Sequence, residues 1–119
     1  MAKFMVLIYG DEVRWNTMSA DETRAHDAAH VAFSKAAGKR IINGEELEST
    51  SKARSVRRRH AARTATATDG PFMETKEILG GYYLLEADNL DEVEALVSLL
   101  PEVQADHSGV EIRPVVDHG

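Results

Sequence analysis

The sequence of 119 residues contains no cysteine, which excludes disulfide bonds, thiolate zinc sites and thiol nucleophiles. Long apolar runs are also absent. The apolar run nearest the start, over residues 4–9, ends at Gly10 and Asp11. Signal peptides and membrane spans need longer apolar segments, so we expect a cytoplasmic protein that has no membrane partner.

Basic residues are fewer than acidic ones, with 14 lysines and arginines against 20 aspartates and glutamates and a formal net charge of −6. This balance argues against nucleic acid as the main partner. The run Arg57-Arg58-Arg59-His60 is strongly basic, but it lacks interleaved aromatic side chains. We interpret it as a solvated hairpin tip, and contact with an acidic or protein partner is the alternative.

The first strand is predicted over residues 3–9, where strand-forming apolar residues follow one another. A helix is predicted over residues 20–37, because Ser19 and Glu22 have the spacing of a capping box. Gly38 is the stop signal of this helix.

The second half of the chain predicts further strands and one more helix. These are a short strand opening at Ile41, a hairpin over 55–68 that turns near His60, strands over 81–87 and 110–116, and a helix that begins at Asn89 and ends at Pro101. Because Pro114 cannot donate to a strand ladder, the last strand is expected at a sheet edge or a bulge.

The order of elements fits one α+β domain over residues 1–119, with a ferredoxin-like sheet and two helices on one face. The strand segments 4–9 and 82–87 are apolar at nearly every position, which is the pattern of strands covered on both faces. Two helices cover only one face. We therefore expect a second copy of the chain on the other face, in a two-fold homodimer.

One stretch carries a signature: Thr68-Asp69-Gly70-Pro71-Phe72, then Glu74, Lys76, Glu77, Leu79, Gly80 and Gly81, then Tyr82-Tyr83-Leu84. It resembles the DGPF proteins, a branch of the YCII-related family. The likeness extends to the segments 7–12, 90–93 and 110–115 and to a helix that carries His30 and Phe33.

This resemblance implies a dimeric α+β barrel of ferredoxin-like subunits. In the family, one YCII-related branch dehydrochlorinates an aromatic intermediate. DGPF relatives are often encoded beside extracytoplasmic-function sigma factors. The resemblance therefore implies two kinds of role, one catalytic and one regulatory.

The residue types of the signature also indicate a shaped loop. Gly70 supplies backbone freedom before Pro71, which holds Asp69 on a rigid turn. Gly80 and Gly81 allow a backbone or a ligand to approach the start of a strand. We predict that this turn forms the mouth of a pocket.

The predicted first helix carries a histidine pair. His26 and His30 are four residues apart and Phe33 follows by three, so the three side chains share one flank of the helix. Histidine can transfer protons near neutral pH. His26 is interpreted as a surface residue, whereas His30 matches the helix histidine of the family and is predicted to line a site.

A catalytic metal at the histidine pair is not expected, and an incidental metal ion there is the alternative. The order His26-Asp27 places a shorter acid where the metalloprotease pattern H-E-x-x-H has its glutamate, and the pattern supplies no third ligand. The chain also contains no nucleotide-binding loop. We therefore expect no metal and no organic cofactor.

The predicted catalytic pair is His30 as general base and Asp69 as the acid that orients it. In the better-known YCII branch the partner aspartate lies on the strand after the first helix, which makes Glu45 or Glu46 the alternative. Ligand-binding positions are predicted at Tyr9, Phe33, Gly70, Pro71, Phe72, Glu74, Lys76, Gly80, Gly81 and Tyr82.

The predicted site is compatible with two functions. The first is a small-molecule enzyme of lyase or isomerase type that uses a cleft histidine as general base. The second is a non-catalytic ligand-binding or regulatory module associated with sigma-factor-dependent transcription. Both predict a homodimer with an unidentified small-molecule ligand.

Overall fold

The structure is a computed structural model that describes residues 2–58, 66–71 and 76–119. In these ranges the strands are β1 (Ala2–Asp11), β2 (Ile41–Glu46), β3 (Arg54–Arg57), β4 (Thr66–Asp69), β5 (Glu77–Ala87) and β6 (Ser108–Pro114). The helices are α1 (Glu12–Asn16), α2 (Ala20–Ala37), α3 (Leu90–Val97) and α4 (Pro101–Gln104), and 3-10 turns lie at 38–40 and 50–52.

Four strands form one antiparallel sheet in the order β2-β5-β1-β6, and β3 pairs with β4 in a separate two-stranded sheet. This mixed α+β arrangement is compatible with the predicted ferredoxin-like fold. Pro114 lies in β6, which is an edge strand, as its missing N–H requires.

The core lies between one face of the sheet and the helices. In β1 the buried positions alternate with partly exposed ones, and the buried ones point toward the helices. The core cluster is formed by Phe4, Val6, Ile8, Phe33, Ala37, Leu85, Ala87, Val93, Val97 and Leu100. Because α2 and α3 both contribute to this single cluster, both helices cover the same face, as predicted.

Helix α2 has the bounds that the sequence predicts. The Ser19 hydroxyl accepts from the Glu22 N–H at 3.1 Å, and the Glu22 carboxylate accepts from the Ser19 N–H at 3.1 Å. At the other end, Gly38 has φ 55°, a left-handed conformation that favours glycine. The predicted capping box is confirmed.

The prediction that Pro101 ends the second helix is wrong. Helix α3 begins after Asn89, whose side chain accepts from the Glu92 N–H at 2.9 Å, but it ends at Val97. Pro101 begins α4 instead. The first turn of a helix has no use for the missing proline N–H, so proline is a start signal as well as a stop signal.

Helix α1 was not predicted. Asp11 caps it by accepting from the Val13 N–H at 3.0 Å. The predicted hairpin exists as the pair of strands β3 and β4, in which Ser55 is opposite Thr68. Its turn near His60, together with Arg59, lies outside the described residues.

The second face of the main sheet carries partly exposed apolar side chains. They come from alternate positions of the two central strands: Met5, Leu7, Tyr9, Tyr82 and Leu84. Over the described residues, no helix is long and apolar enough to cross a membrane.

Candidate functional site

A cleft of ≈ 690 Å³ lies beside helix α2. Helices α1, α2 and α4 and strands β2 and β5 all contribute residues to its lining. Its size is within the range that accommodates a small-molecule ligand.

His30 makes polar contacts with two other residues that line this cleft. Its Nδ1 is 2.7 Å from the Tyr83 hydroxyl, and its Nε2 is 2.8 Å from Oε2 of Glu102. His26 Nε2 is 2.9 Å from the same carboxylate oxygen. One oxygen therefore lies between two imidazole rings, whose centroids are 4.9 Å apart.

Two features of helices α2 and α4 position the side chains of His26, His30 and Glu102. His26 and His30 lie one helical turn apart on α2, so their rings project on one side. Glu102 follows Pro101 in the first turn of α4. The Ser108 hydroxyl donates to the Glu102 backbone carbonyl at 2.9 Å, which joins this short helix to the start of β6.

Glu102 is the most buried member of the group. Its side chain is 5% exposed, compared with 23% for His26 and 22% for His30. Its second oxygen, Oε1, is buried and has no hydrogen-bond partner among the described residues. Burying a carboxylate is costly unless its charge is compensated, so this residue depends on the groups around it.

Tyr83 supports His30 from the sheet side. Burial raises the pKa of the Tyr83 phenol above its ordinary value, and the nearby Glu102 carboxylate contributes in the same direction. The hydroxyl is therefore protonated at neutral pH and can donate a hydrogen bond. Gly44 gives this ring its space, because a Cβ there would lie 2.6 Å from a carbon of the Tyr83 ring.

Trp15 packs on two glycines. Any larger residue at either position would force the indole ring to move. A Cβ on Gly10 would lie 2.2 Å from Cζ2 of the indole, and one on Gly80 would lie 2.5 Å from Cζ3. Gly80 lies at a bulge, because Ile8 pairs with Gly81 while the next residue pairs beyond Gly80. Gly80, the first glycine of the signature pair, therefore leaves room for the Trp15 side chain of the same chain.

The cleft is strongly acidic. Its lining carboxylates are Glu12, Asp27, Glu45, Glu46, Glu48 and Glu102. Among the described lining residues there is no lysine or arginine. The resulting negative potential favours cations over anions in the cleft.

Some of the predicted site residues meet in this cleft, namely His30, Gly80 and Gly81, and the alternative acids Glu45 and Glu46 also line it. Tyr82 borders the cleft with its backbone, because its side chain lies on the second face of the sheet. Phe33 is fully buried in the core, where its ring packs 4.7 Å from that of Tyr83. Tyr9 faces away from the core on the second face of the sheet. Phe72 and Glu74 lie outside the described residues.

The described part of the D-G-P-F turn is not in the cleft lining. Asp69 is exposed at the end of β4, 3.6 Å from the Arg54 guanidinium, and Pro71 and Lys76 are exposed as well. Gly70 has φ 97°, so the turn does require glycine. The Gly70 N–H donates to the Ala53 carbonyl at 2.6 Å, which fastens the hairpin to the chain before β3.

Glu102 was not identified from the sequence. It lies 72 positions from His30 along the chain, so no local spacing connects the two. The available signal was Pro101, which begins a helix as readily as it ends one. His26, interpreted as a surface residue, is part of the cluster.

Glu12 lines the cleft from α1. Its carboxylate accepts from the Thr50 N–H at 2.8 Å and from the Thr50 hydroxyl at 2.6 Å. Both hydrogen bonds lower the pKa of Glu12 below its ordinary value of 4.5, and the bond from the Thr50 hydroxyl has the larger effect. They join α1 to the segment after β2.

We expect Gly80→Ala to displace Trp15, since the new methyl group overlaps the indole ring. Trp15 is the only tryptophan, so a change in its fluorescence emission reports the displacement. Gly109→Ala is the matched control, because its Cβ meets nothing within 4 Å. Equal spectra for Gly80→Ala and Gly109→Ala would contradict the packing of Trp15 on Gly80.

We expect Glu12→Gln to lower the free energy of unfolding by about 1 kcal/mol near neutral pH. Because the pKa of Glu12 is lowered on folding, its contribution is complete above pH 4.5 and is lost as the pH falls through the folded-state pKa. The difference between wild type and variant should therefore shrink in acid, as urea unfolding at several pH values can measure.

Glu48→Gln is the control for that experiment. Glu48 pairs with Lys52 at 2.9 Å, but both side chains are largely exposed. Its replacement should cost less than about 0.5 kcal/mol. Equal effects of the two substitutions would show that the Thr50 contacts do not stabilise the fold.

Comparison with known proteins places the chain in a family. The model of the YCII-related domain matches residues 2–118. The chain is also similar to an uncharacterised protein of Rhizobium meliloti strain 1021, at 31% identity over 114 residues that cover 94% of this chain and 90% of the relative. The chain therefore belongs to the YCII-related domain family.

Proposed function

We propose that the protein is a small-molecule enzyme of lyase or isomerase type, with His30 as its general base. The observation that carries this proposal is the hydrogen bonding of His30 on both ring nitrogens, to Tyr83 and Glu102, at the edge of a cleft. A base that is held by two partners is oriented before the substrate arrives.

The contacts suggest a role for each group. An ionised carboxylate only accepts hydrogen bonds, so Nε2–H of His30 donates to Glu102, and the lone pair of the neutral ring lies on Nδ1. Nδ1 then accepts from the Tyr83 hydroxyl at 2.7 Å. Tyr83 also lines the cleft, so its hydroxyl can carry a proton between Nδ1 and a bound substrate.

The partners of His30 support this reaction class. They are a phenol and a carboxylate among the described residues, with no serine hydroxyl to be activated as a nucleophile. Removing a proton from carbon, before the proton is returned elsewhere or a leaving group departs, begins with such a base. In this proposal Glu102 is the positioning residue, in place of Asp69, and the variants below compare the two acids.

A test that needs no named substrate is proton exchange with solvent. Carbon acids with an activated C–H bond are incubated with the protein in D₂O, and deuterium incorporation is followed by NMR. We expect His30→Ala to reduce the exchange rate by about 10²-fold or more. Full exchange by a folded His30→Ala protein would contradict the proposal.

Two further variants decide the partner of His30. Glu102→Gln should slow exchange, because the amide cannot stabilise an imidazolium as a carboxylate does. Asp69→Asn should leave the rate within about twofold of wild type, since this exposed residue pairs with Arg54 instead. The opposite ranking of the two variants would assign the role to Asp69.

The second candidate is a non-catalytic ligand-binding module linked to sigma-factor-dependent transcription. It is favoured by the exposure of Arg57 and Arg58 on the β3–β4 hairpin, away from the cleft lining. In this version the cleft binds the ligand and the hairpin contacts a protein partner. Ligand-induced thermal stabilisation without any proton exchange would support it.

The proposal includes a homodimer formed through the second face of the main sheet. Five apolar side chains on this face are partly exposed and adjoin one another across β1 and β5, and large contiguous apolar surfaces mark protein–protein contacts. A second copy placed by a two-fold axis would bury the same residues on both chains.

The dimer predicts a sedimenting mass of about twice 13.1 kDa at micromolar concentration. Leu7→Glu, at the middle of this face, should shift the protein to a monomer because it would bury a carboxylate without a partner. Val116→Glu, at an exposed position, is the control. A well-folded monomer of the wild-type chain would contradict the interface.

A further inference from the structure

We propose that His26, His30 and Glu102 bind a divalent transition metal ion of the Zn²⁺ class. Each residue offers one ligand atom, and these atoms lie within 4.8 Å of one another. Two imidazoles and one carboxylate make a set of ligands that such ions prefer. Three protein ligands leave a further coordination position open for water or a substrate.

The observed distances suit conversion to a metal site. The two Nε2 atoms lie 2.8 and 2.9 Å from Oε2 of Glu102. Ligands on a tetrahedral zinc ion, at about 2.0–2.2 Å from it, are about 3.3 Å apart. Each of these two contacts therefore has to open by about half an ångström, and the two histidine ligand nitrogens, which lie within 4.8 Å of each other, have to reach the same spacing of about 3.3 Å.

The arrangement also provides what the sequence pattern lacked. Two histidines one turn apart on a helix are a common pair of metal ligands, but they need a third. The third ligand comes from α4, which the fold brings to α2. The expectation of no metal rested on the missing third ligand, and Glu102 supplies it.

The burial of Glu102 is an independent indication that a cation belongs here. Its side chain is 95% buried, as its 5% exposure shows, and Oε1 has no hydrogen-bond partner among the described residues. A metal ion held by the same carboxylate compensates a charge that hydrogen bonds leave partly unsatisfied.

The surroundings of the cluster favour the same ion. The Tyr83 hydroxyl contacts Nδ1 of His30, which is the outer hydrogen bond that metal-binding histidines usually make. The remaining carboxylates of the cleft give it a negative potential that attracts divalent cations. Ligand set, outer contact and electrostatic field thus agree.

This inference goes beyond the proposed function and does not rest on it. A metal ion on Nε2 of His30 takes the lone pair there, so the ring proton moves to Nδ1 and the residue is no longer a base. The two states of the site exclude each other. The metal is expected to inhibit proton exchange if the protein catalyses it.

The test uses Co²⁺ as a spectroscopic probe and Zn²⁺ as the competing ion. The full chain is treated with EDTA, dialysed and titrated with Co²⁺ while its visible absorption is followed. We expect about one equivalent per chain, displaced by Zn²⁺. His26→Ala and Glu102→Gln should each weaken Co²⁺ binding by at least about tenfold.

His118→Ala is the matched control for adventitious binding by histidine, since His118 is exposed near the end of the chain. Circular dichroism shows whether each variant is folded. Equal Co²⁺ affinity in wild type, His26→Ala and Glu102→Gln would overturn the proposal, as would no binding to wild type at millimolar Co²⁺. Proton exchange is measured on the EDTA-treated wild type, so its failure tests only the proposed function.

Discussion

The site depends on one buried carboxylate. Glu102 is largely shielded from water, yet its only described side-chain partners are two imidazoles on the neighbouring helix. A charge in that position needs a positive group or a set of donors. The two histidines supply N–H donors to it, and the Tyr83 phenol holds one of these histidines from the other side.

The sheet supplies the space for this arrangement by means of small residues. Gly44 admits the Tyr83 ring from the edge strand, and Gly80 admits the indole of Trp15 at a bulge. Neither glycine has a positive φ, so the requirement there is room and not an unusual backbone conformation. The positions of Tyr83 and Trp15, two aromatic residues that line the cleft, therefore depend on the lack of a side chain at Gly44 and Gly80.

Local patterns predicted the local structure well. Ser19, Glu22 and Gly38 fixed both ends of α2, because capping is decided within a few residues. The apolar runs gave the central strands, and Pro114 gave the edge. The α+β class followed from the order of these elements.

The site was predicted only in part, because it is assembled by tertiary packing. His30 was found through a family pattern, but its acid lies on a helix that begins at an ambiguous proline. The signature loop drew attention to Asp69, whose described contact is with Arg54. A turn that needs glycine for its backbone conformation is as typical of a hairpin as of the mouth of a pocket.

The distance along the chain between His30 and Glu102 has a consequence for folding. The two residues are 72 positions apart, so the loop between them must close before they can meet. A nascent chain that has emerged only as far as α3 carries both histidines and lacks their acid. The chemistry of the cleft therefore cannot form until α4 has been synthesised and has docked against α2.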